Sequence, residues 1–211
     1  MKKQDLSSLS CVVMASGLGR RFGSNKLLAR LNNKTLIEHT LSRLQNAGLH
    51  KLLVVTRSQE VFKLVQSLSI PVLLHQLPYQ SDTVALGVKY WLKAEDMASG
   101  LLFITGDQPL LKASTLKALA EAYLDEYQTH QHKLIMRLGK KENNQTIPGN
   151  PVIFSPELFP ELLQLPQDQG GSSLCKKYPD IVKILTAEPQ ELLDIDTPAD
   201  LEQARQILQK K

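Results

Sequence analysis

The sequence has few cysteines, few aromatic residues and no long hydrophobic run. Its two cysteines, Cys11 and Cys175, form no CxxC pair, so we expect neither a disulfide framework nor a thiolate metal site, and both thiols are predicted to be reduced and packed. No apolar run approaches the roughly 18 residues of a membrane span. The apolar stretch 11–15 that follows Lys2 and Lys3 is too short for a signal peptide. We therefore expect a cytoplasmic protein that does not contact a membrane.

Aromatic residues make up only 5% of the chain, and the basic residues form no stripe interleaved with aromatics. This pattern argues against a nucleic-acid partner, although the net charge is +4. The 211 residues, of which 42% are hydrophobic and 22% charged, are typical of a globular protein. Because there is no internal repeat and no linker, we predict a single domain over residues 1–211, with residues 1–8 and 209–211 disordered.

Apolar runs and helical stripes alternate along the first part of the chain. Four short, mostly apolar segments are predicted to be strands; they lie at 11–15, 52–55, 71–74 and 101–105. The run 52–55 is continuously apolar, as expected for a strand that is covered on both faces. Helical spacing follows each run, which favours a largely parallel sheet with helices on both faces. Two later strands, separated by a polar loop over 139–149, predict a small antiparallel addition. The predicted fold class is α/β, a three-layer α/β/α Rossmann-like arrangement.

A glycine-rich loop follows the first predicted strand, with the sequence Ala15-Ser16-Gly17-Leu18-Gly19-Arg20-Arg21-Phe22-Gly23-Ser24-Asn25-Lys26. Glycine lets backbone N–H groups approach a phosphate closely, and the two arginines and the lysine supply cationic groups. The glycine spacing is one residue too wide for the dinucleotide fingerprint, and the Walker A pattern fails at Leu27. The loop favours a polyphosphate site over an ordinary strand-to-helix turn with solvated basic residues.

Carboxylates stand where ligands of open α/β sheets bind. Asp107 comes just after the predicted strand 101–105, at the sheet edge that holds such ligands, and a carboxylate there suits a phosphate-bound Mg²⁺. A tight turn in which Asp107 bonds to nearby backbone is an equal alternative. Asp194 and Asp196 are two residues apart on an extended segment, so both can face one site. Asp200 is predicted to cap the last helix together with Thr197.

These segments resemble, in the same order, the motifs of MobA-like NTP transferases of the molybdenum cofactor cytidylyltransferase family. The loop is similar to the family pattern LAAGxSxRMGxxK, and Gly106-Asp107-Gln108-Pro109 to its GDMP or GDQP motif. The segment 193–201 resembles its DIDTPxDL element. Asp82–Val88 resembles its Ser-Leu-x-x-Gly-Leu helix start, and 148–152 its PGHPV element.

The resemblance implies a role for each matched residue. The residues implied to bind nucleotide are Ala15, Ser16, Gly17, Leu18, Gly19, Arg21, Lys26, Thr83, Gly106 and Asp107. The residues implied to be catalytic are Arg21, Lys26 and Asp107, and the implied Mg²⁺ ligands are Asp107 and Asp196. The residues implied to bind the acceptor are Gly149, Asn150, Pro151 and Asp194.

The chain departs from the family pattern at three places. Asn150 replaces the usual His and cannot titrate near neutrality. The segment 169–173 lacks the Arg of the family's acid-Gly-x-Arg pattern. Ser16 stands where the cytidylyl type has Ala and the guanylyl type has Gly. These departures leave the base and the acceptor open.

We interpret the chain as a Mg²⁺-dependent nucleotidyltransferase that transfers CMP from CTP to the phosphate of a molybdopterin cofactor and releases pyrophosphate. A molybdenum hydroxylase would be the client of such an enzyme. One alternative is a guanylyl or other NTP transferase with a different phosphorylated acceptor. A nicotinamide-dependent oxidoreductase is a second alternative, which the glycine spacing disfavours. The third is a non-catalytic partner that binds the cofactor or inserts it into a molybdenum hydroxylase.

Overall fold

The computed structural model describes residues 5–17, 22–23, 25–94, 98–130 and 132–209. The strands in this part of the chain are β1 (Leu9–Ala15), β2 (Arg30–Leu31), β3 (Lys34–Thr35), β4 (Lys51–Thr56), β5 (Val72–Leu74), β6 (Gly100–Thr105), β7 (Ile135–Glu142), β8 (Gln145–Phe154) and β9 (Val182–Thr186). The α-helices are α1 (Leu36–Asn46), α2 (Gln59–Ser67), α3 (Gln80–Trp91), α4 (Ala113–His130), α5 (Phe159–Leu162), α6 (Ser172–Lys177) and α7 (Pro198–Gln209).

A seven-stranded sheet forms the centre of the molecule, in the order β5-β4-β1-β6-β8-β7-β9. Strands β5, β4, β1 and β6 pair in parallel, and β9 pairs in parallel with β7. Strand β8 runs antiparallel to both of its neighbours. The mostly parallel sheet with a small antiparallel addition confirms the predicted fold class, and β2 and β3 form a separate two-stranded ribbon.

Two apolar layers cover the sheet because the side chains of each strand alternate between its faces. In β1, Cys11 and Val13 pack with the core that α1, α2 and α4 complete, whereas Val12 packs with α3, α5 and α6. The central strands are buried on both sides, which explains why they are continuously apolar in sequence. A smaller cluster places α7 beside β2, through Leu31 and Leu201 among others.

The second half of the chain differs from the sequence prediction in two respects. The predicted polar loop 139–149 is mostly strand, because β7 and β8 form one long hairpin that turns at Asn143 and Asn144. Both residues have positive φ values, which asparagine tolerates in tight hairpin turns. The sheet also gains β9 at its edge, whereas 193–196 is extended but lies in no strand.

The chain ends are partly described. Residues 6–8 form a 3₁₀ turn and Leu6 is buried in the core, so the expected disorder does not extend to them, and α7 continues to Gln209. The rest of the predicted disorder, at 1–4 and 210–211, lies outside the described residues. Cys11 and Cys175 are free thiols. None of the described helices has the length and apolar character required to cross a membrane.

The carboxyl ends of the parallel strands lie side by side. Ala15 at the end of β1 is in register with Thr56 of β4, and Met14 with Thr105 of β6. The residues that follow these strands are therefore brought to one edge of the sheet, where α/β proteins bind their ligands.

Candidate functional site

Lys26 lies between two of the carboxylates predicted from the sequence. Its Nζ atom donates to Asp107 Oδ2 at 2.5 Å and to Asp196 Oδ1 at 2.6 Å. Partial burial pulls the pKa of Lys26 down, but the two carboxylates outweigh burial and raise it above its usual value. Three groups that are far apart in sequence therefore form one charged cluster.

Asp107 is held by main-chain contacts on both sides. Gly106 donates its N–H to Met14 O at 3.1 Å, and Ile195 donates its N–H to Asp107 O at 3.1 Å. The second carboxylate oxygen, Asp107 Oδ1, is buried and accepts no hydrogen bond within the described part of the chain. A buried carboxylate oxygen without a donor is costly, so this atom is available to a ligand or a cation.

Asp194 completes the acidic cluster. Although the residue as a whole is exposed, its carboxyl is crowded: burial and the negative charges of Asp107 and Asp196 raise its pKa to about 6, and a hydrogen bond with Gln108 only partly opposes this. Asp194 is therefore within electrostatic reach of Asp107 and Asp196. Ile195, between the two acids, is buried and anchors the segment.

The start of α7 fixes the position of Asp196. Asp200 Oδ2 accepts hydrogen bonds from the main-chain N–H groups of Asp196 and Thr197 at 3.0 and 2.7 Å. Thr197 Oγ1 in turn accepts from the N–H of Asp200 at 3.2 Å. The predicted cap is confirmed, and it also orients the residue that pairs with Lys26.

A cavity of about 310 Å³, which we call the main cavity, opens beside this cluster. Its lining residues come from the ends of β1, β4 and β6, from the start of α3 and from the turn at Lys26; they are Met14, Ser16, Gly17, Lys26, Leu27, Arg57, Tyr79, Gln80, Thr83, Thr105, Gly106 and Asp107. The Thr105 hydroxyl is also buried without a hydrogen-bond partner among the described residues. The volume is within the range of small-molecule sites.

Arg57, which the sequence analysis missed, holds the start of the glycine-rich loop. Its Nε and Nη2 atoms donate to Ser16 O at 2.8 and 2.5 Å, and its Nη1 donates to Pro78 O at 3.0 Å. A trans peptide points its C=O and the following N–H in opposite directions. Arg57 therefore fixes the direction of the Gly17 N–H. The position of Arg57, directly after a buried strand, was the signal available in the sequence.

His75 joins two hydroxyl groups that line the main cavity. Its Nε2 lies 2.9 Å from Ser16 Oγ and 3.4 Å from Thr83 Oγ1. Burial and the neighbouring Arg57 lower the pKa of His75, against a smaller opposing effect of Asp82, which favours the neutral ring. Thr83 is buried inside α3 rather than at its cap, and the residue lines the main cavity.

Gly106 has a packing reason to be glycine. A Cβ atom there would lie 2.8 Å from Ile37 Cδ1 and 3.3 Å from Leu27 Cδ2. The main chain next to Asp107 is thus pressed against the core, which stabilises the position of the carboxylate.

A smaller cavity of about 110 Å³, which we call the side cavity, adjoins the main cavity and shares Met14 and Gln80 with it. Of the residues predicted to bind the acceptor, Asn150 lines the side cavity, and Gly149 is next to it in β8. Pro151 is buried.

The structure therefore brings together most of the predicted residues that it describes. Ser16, Gly17, Lys26, Thr83, Gly106 and Asp107 line the main cavity, with Ala15 just before them at the end of β1. The acceptor set is divided, because Asp194 interacts with Asp107, whereas Asn150 lines the side cavity. The predicted residues Leu18, Gly19 and Arg21, together with Arg20, lie outside the described residues.

The carboxylates fit a metal ion that arrives with phosphate groups. Among the described residues, no three His, Cys, Asp or Glu side chains are arranged to hold a metal by themselves. Mg²⁺ in phosphate-transfer sites is bound by one or two carboxylates together with substrate phosphates. Asp107, with its unpartnered Oδ1, and Asp196 are the residues suited to that arrangement.

Comparison with known families decides the class. Residues 11–182 match the model of the MobA-like NTP transferase domain. The chain belongs to this family. As a MobA-like NTP transferase it is a nucleotidyltransferase, an enzyme class whose members generally use a divalent metal ion.

Individual relatives agree with this assignment. The MobA-like protein is 27% identical over 205 residues to a probable molybdenum cofactor guanylyltransferase of Thermococcus sibiricus, a match that covers 94% of this chain and 98% of the relative. Its fold is similar to that of Rv0371c of Mycobacterium tuberculosis in complex with manganese (TM-score 0.73, 20% identity, 95% and 98% of the chains). It is also similar to that of a CMP:2-keto-3-deoxy-manno-octonic acid synthetase complexed with CTP (TM-score 0.73, 17% identity, 97% and 99%).

Proposed function

We propose that this MobA-like enzyme transfers a nucleotide, with CTP as the first candidate donor, to the terminal phosphate of molybdopterin. The observation that carries the proposal is the charged cluster at the main cavity, in which Lys26 lies between Asp107 and Asp196. A cation and two carboxylates beside a glycine-rich loop suit a nucleoside triphosphate with its metal.

The reaction exchanges one P–O bond for another. An oxygen of the acceptor phosphate attacks the α-phosphorus of the nucleotide and forms a new P–O bond. The bond between the α-phosphorus and the oxygen that bridges to the β-phosphate breaks, and its electron pair leaves with pyrophosphate. A phosphate oxyanion is already a nucleophile, so the protein needs no general base and acts by positioning and charge stabilisation.

Each described residue has a distinct part in this step. Asp107 and Asp196 would hold Mg²⁺, which neutralises phosphate charge when bound. Lys26 moves its contacts from the two carboxylates to the β- and γ-phosphates and stabilises the leaving pyrophosphate. Arg57 keeps the Gly17 N–H in a fixed direction, and Ser16 and Thr83 contribute hydroxyl groups to the lining of the main cavity.

The base of the donor nucleotide is the more specific part of the proposal. Ser16 carries a Cβ, as does the Ala of the cytidylyl type, and CTP is the ligand of the fold relative named above. GTP is the second candidate, which is favoured by the name of the Thermococcus relative. Manganese in the mycobacterial relative supports a divalent ion in this fold.

Isothermal titration separates these donors. We expect CTP with Mg²⁺ to bind the wild type at least tenfold more tightly than GTP. D107N should lose the Mg²⁺-dependent part of this affinity, whereas D180N, at an exposed aspartate outside the site, should keep it. Tighter binding of GTP would show that the enzyme uses GTP and is of the guanylyl type. If D107N kept the full Mg²⁺ dependence, the metal assignment would be wrong.

A further inference from the structure

Arg137 is a cation in the side cavity without an acidic partner. It is the third residue of β7, on the face that carries Ile135, and it is only partly exposed. In the described part of the chain, no carboxylate lies within ion-pair distance of its guanidinium group. A partly buried charge without a counter-ion is unfavourable, so an anionic ligand would relieve a cost that the free protein carries.

The contacts that Arg137 does make leave its charge uncompensated. Its Nε and Nη2 atoms donate to the carbonyl oxygen of Gly149 at 2.9 and 2.7 Å, which orients the planar group. The nearby Cys175 thiol does not supply a negative charge, because burial raises its pKa although Arg137 acts in the opposite direction.

The other walls of the side cavity combine polar groups with apolar side chains such as Phe103 and Phe154. Asn150 and Gln80 contribute amide groups, and Ser172 a hydroxyl. Gly170 and Gly171 allow the main chain to approach, since a Cβ at Gly170 would lie 2.9 Å from Gln80 Cδ, and a Cβ at Gly171 would lie 2.7 Å from the Phe154 ring. With about a third of the volume of the main cavity, the side cavity has room for a small charged group but not for a second nucleotide.

We propose that Arg137 binds the anionic phosphate of the acceptor at the side cavity and thereby selects phosphorylated acceptors. The inference rests on the proposed function, in which the acceptor phosphate must reach a nucleotide in the main cavity, and the two cavities share Met14 and Gln80. A guanidinium group is always charged and recognises phosphate, and a lysine ammonium also binds phosphate, as a point charge. In this proposal Arg137, from β7, supplies the cation that segment 169–173 lacks.

Steady-state kinetics with molybdopterin as acceptor test this role. R137Q should raise the KM for molybdopterin about tenfold or more, as expected for the loss of a charge-assisted contact. The KM for the nucleotide should stay unchanged. R137K keeps the charge but not the paired bonds to Gly149 O, and should restore most of the affinity. R205Q is the control outside both cavities: Arg205, on α7, also donates to a main-chain carbonyl, that of Arg30 at 3.0 Å, and differs from Arg137 in pairing with Glu202.

A second arm keeps this inference separate from the proposed function. Inorganic phosphate is titrated into the protein while Mg²⁺ and an α,β-methylene analogue of the donor nucleotide fill the main cavity. Wild type and R137K should bind inorganic phosphate, and R137Q should not. If wild type neither binds nor uses molybdopterin, the acceptor assignment fails and the phosphate titration alone decides on Arg137. Equal phosphate binding by wild type and R137Q would overturn the inference. So would loss of acceptor affinity and of phosphate binding in R137K as well as in R137Q, because Arg137 would then serve only to support the main chain at Gly149.

Discussion

Replacing Lys26 by methionine tests both of its proposed interactions. One is with the two carboxylates in the free protein, and the other is with the nucleotide phosphates during the reaction. Methionine keeps much of the length of the side chain and removes the charge. In the free protein the change leaves Asp107 and Asp196 facing each other without the ammonium group that lies 2.5 and 2.6 Å from them. Both the stability and the turnover of K26M should therefore fall.

The loss of stability follows from the exposure of the three side chains. Those of Lys26 and Asp107 are 13% and 14% exposed, and that of Asp196 is 36% exposed. Exposed pairs contribute less than about 1 kcal/mol, and breaking a buried pair costs about 3–5 kcal/mol. We expect K26M to lose about 2 kcal/mol, which lowers the Tm by about 4–8 °C for a chain of this size.

Magnesium should reverse part of this loss. Without the ammonium group, the two carboxylates bind Mg²⁺ more readily in the absence of nucleotide, and binding to the folded state raises the Tm. The wild type should show a smaller Mg²⁺ effect, and so should K183M, which removes a single exposed ion pair to Glu126. Calorimetry with and without Mg²⁺ measures these differences.

Turnover of K26M should fall by about 10²–10³-fold, the effect of losing one transition-state donor. Pyrophosphate release at saturating nucleotide is the assay. Near-wild-type release would show that Lys26 does not act on the phosphates. A Tm of K26M that Mg²⁺ changes neither alone nor together with nucleotide would show that the two carboxylates are not metal ligands.

Three further predictions concern the surroundings of this cluster. Because the pKa of Asp194 is raised to about 6 from 3.8 in the folded protein, the contribution of Asp194 to stability should fall as the pH rises from about 4 to about 6. Urea unfolding should show D194N more stable than wild type at pH 8 and equal to it below pH 4; a less stable D194N at pH 8 would contradict the shift. D200A removes the cap and the hold on Asp196, so it should lose about 1 kcal/mol of stability and also several-fold in turnover, and unchanged kinetics would contradict the positioning role. T83V keeps the shape of the side chain and removes its hydroxyl, so it should raise the KM for nucleotide about two- to tenfold, whereas T83S should not. Equal KM values for the two variants would show that the hydroxyl does not contribute to nucleotide binding.

The parallel half of the fold could be predicted because burial on both faces leaves a continuous apolar run in sequence. That signal is present in β1, β4 and β6, whose residues are almost all buried. It is absent from the outer half of the β7–β8 hairpin, where Lys141 and Gln145 are exposed and the sequence resembles a loop. Strand β9 is an edge strand with little buried surface, so neither an apolar run nor an alternation marks it.

The charged cluster could be predicted in part for a similar physical reason. Lys26 and Asp107 follow predicted strands within glycine-containing motifs, and their meeting at the sheet edge follows from the topology. Arg57 and Arg137 stand in no motif. Arg57 contacts the carbonyl oxygen of Ser16 at the end of another strand, and Arg137 contacts that of Gly149 across the β7–β8 hairpin. Such contacts depend on strand order and register, which a single sequence does not contain.

Pyrophosphate release with each of the four nucleoside triphosphates, with and without molybdopterin, tests the central claim most directly. We predict release that requires both Mg²⁺ and molybdopterin, is fastest with CTP, and is lost in D107N but kept in D180N. Release with none of the four nucleotides in the presence of molybdopterin, or release that D107N retains in full, would contradict it.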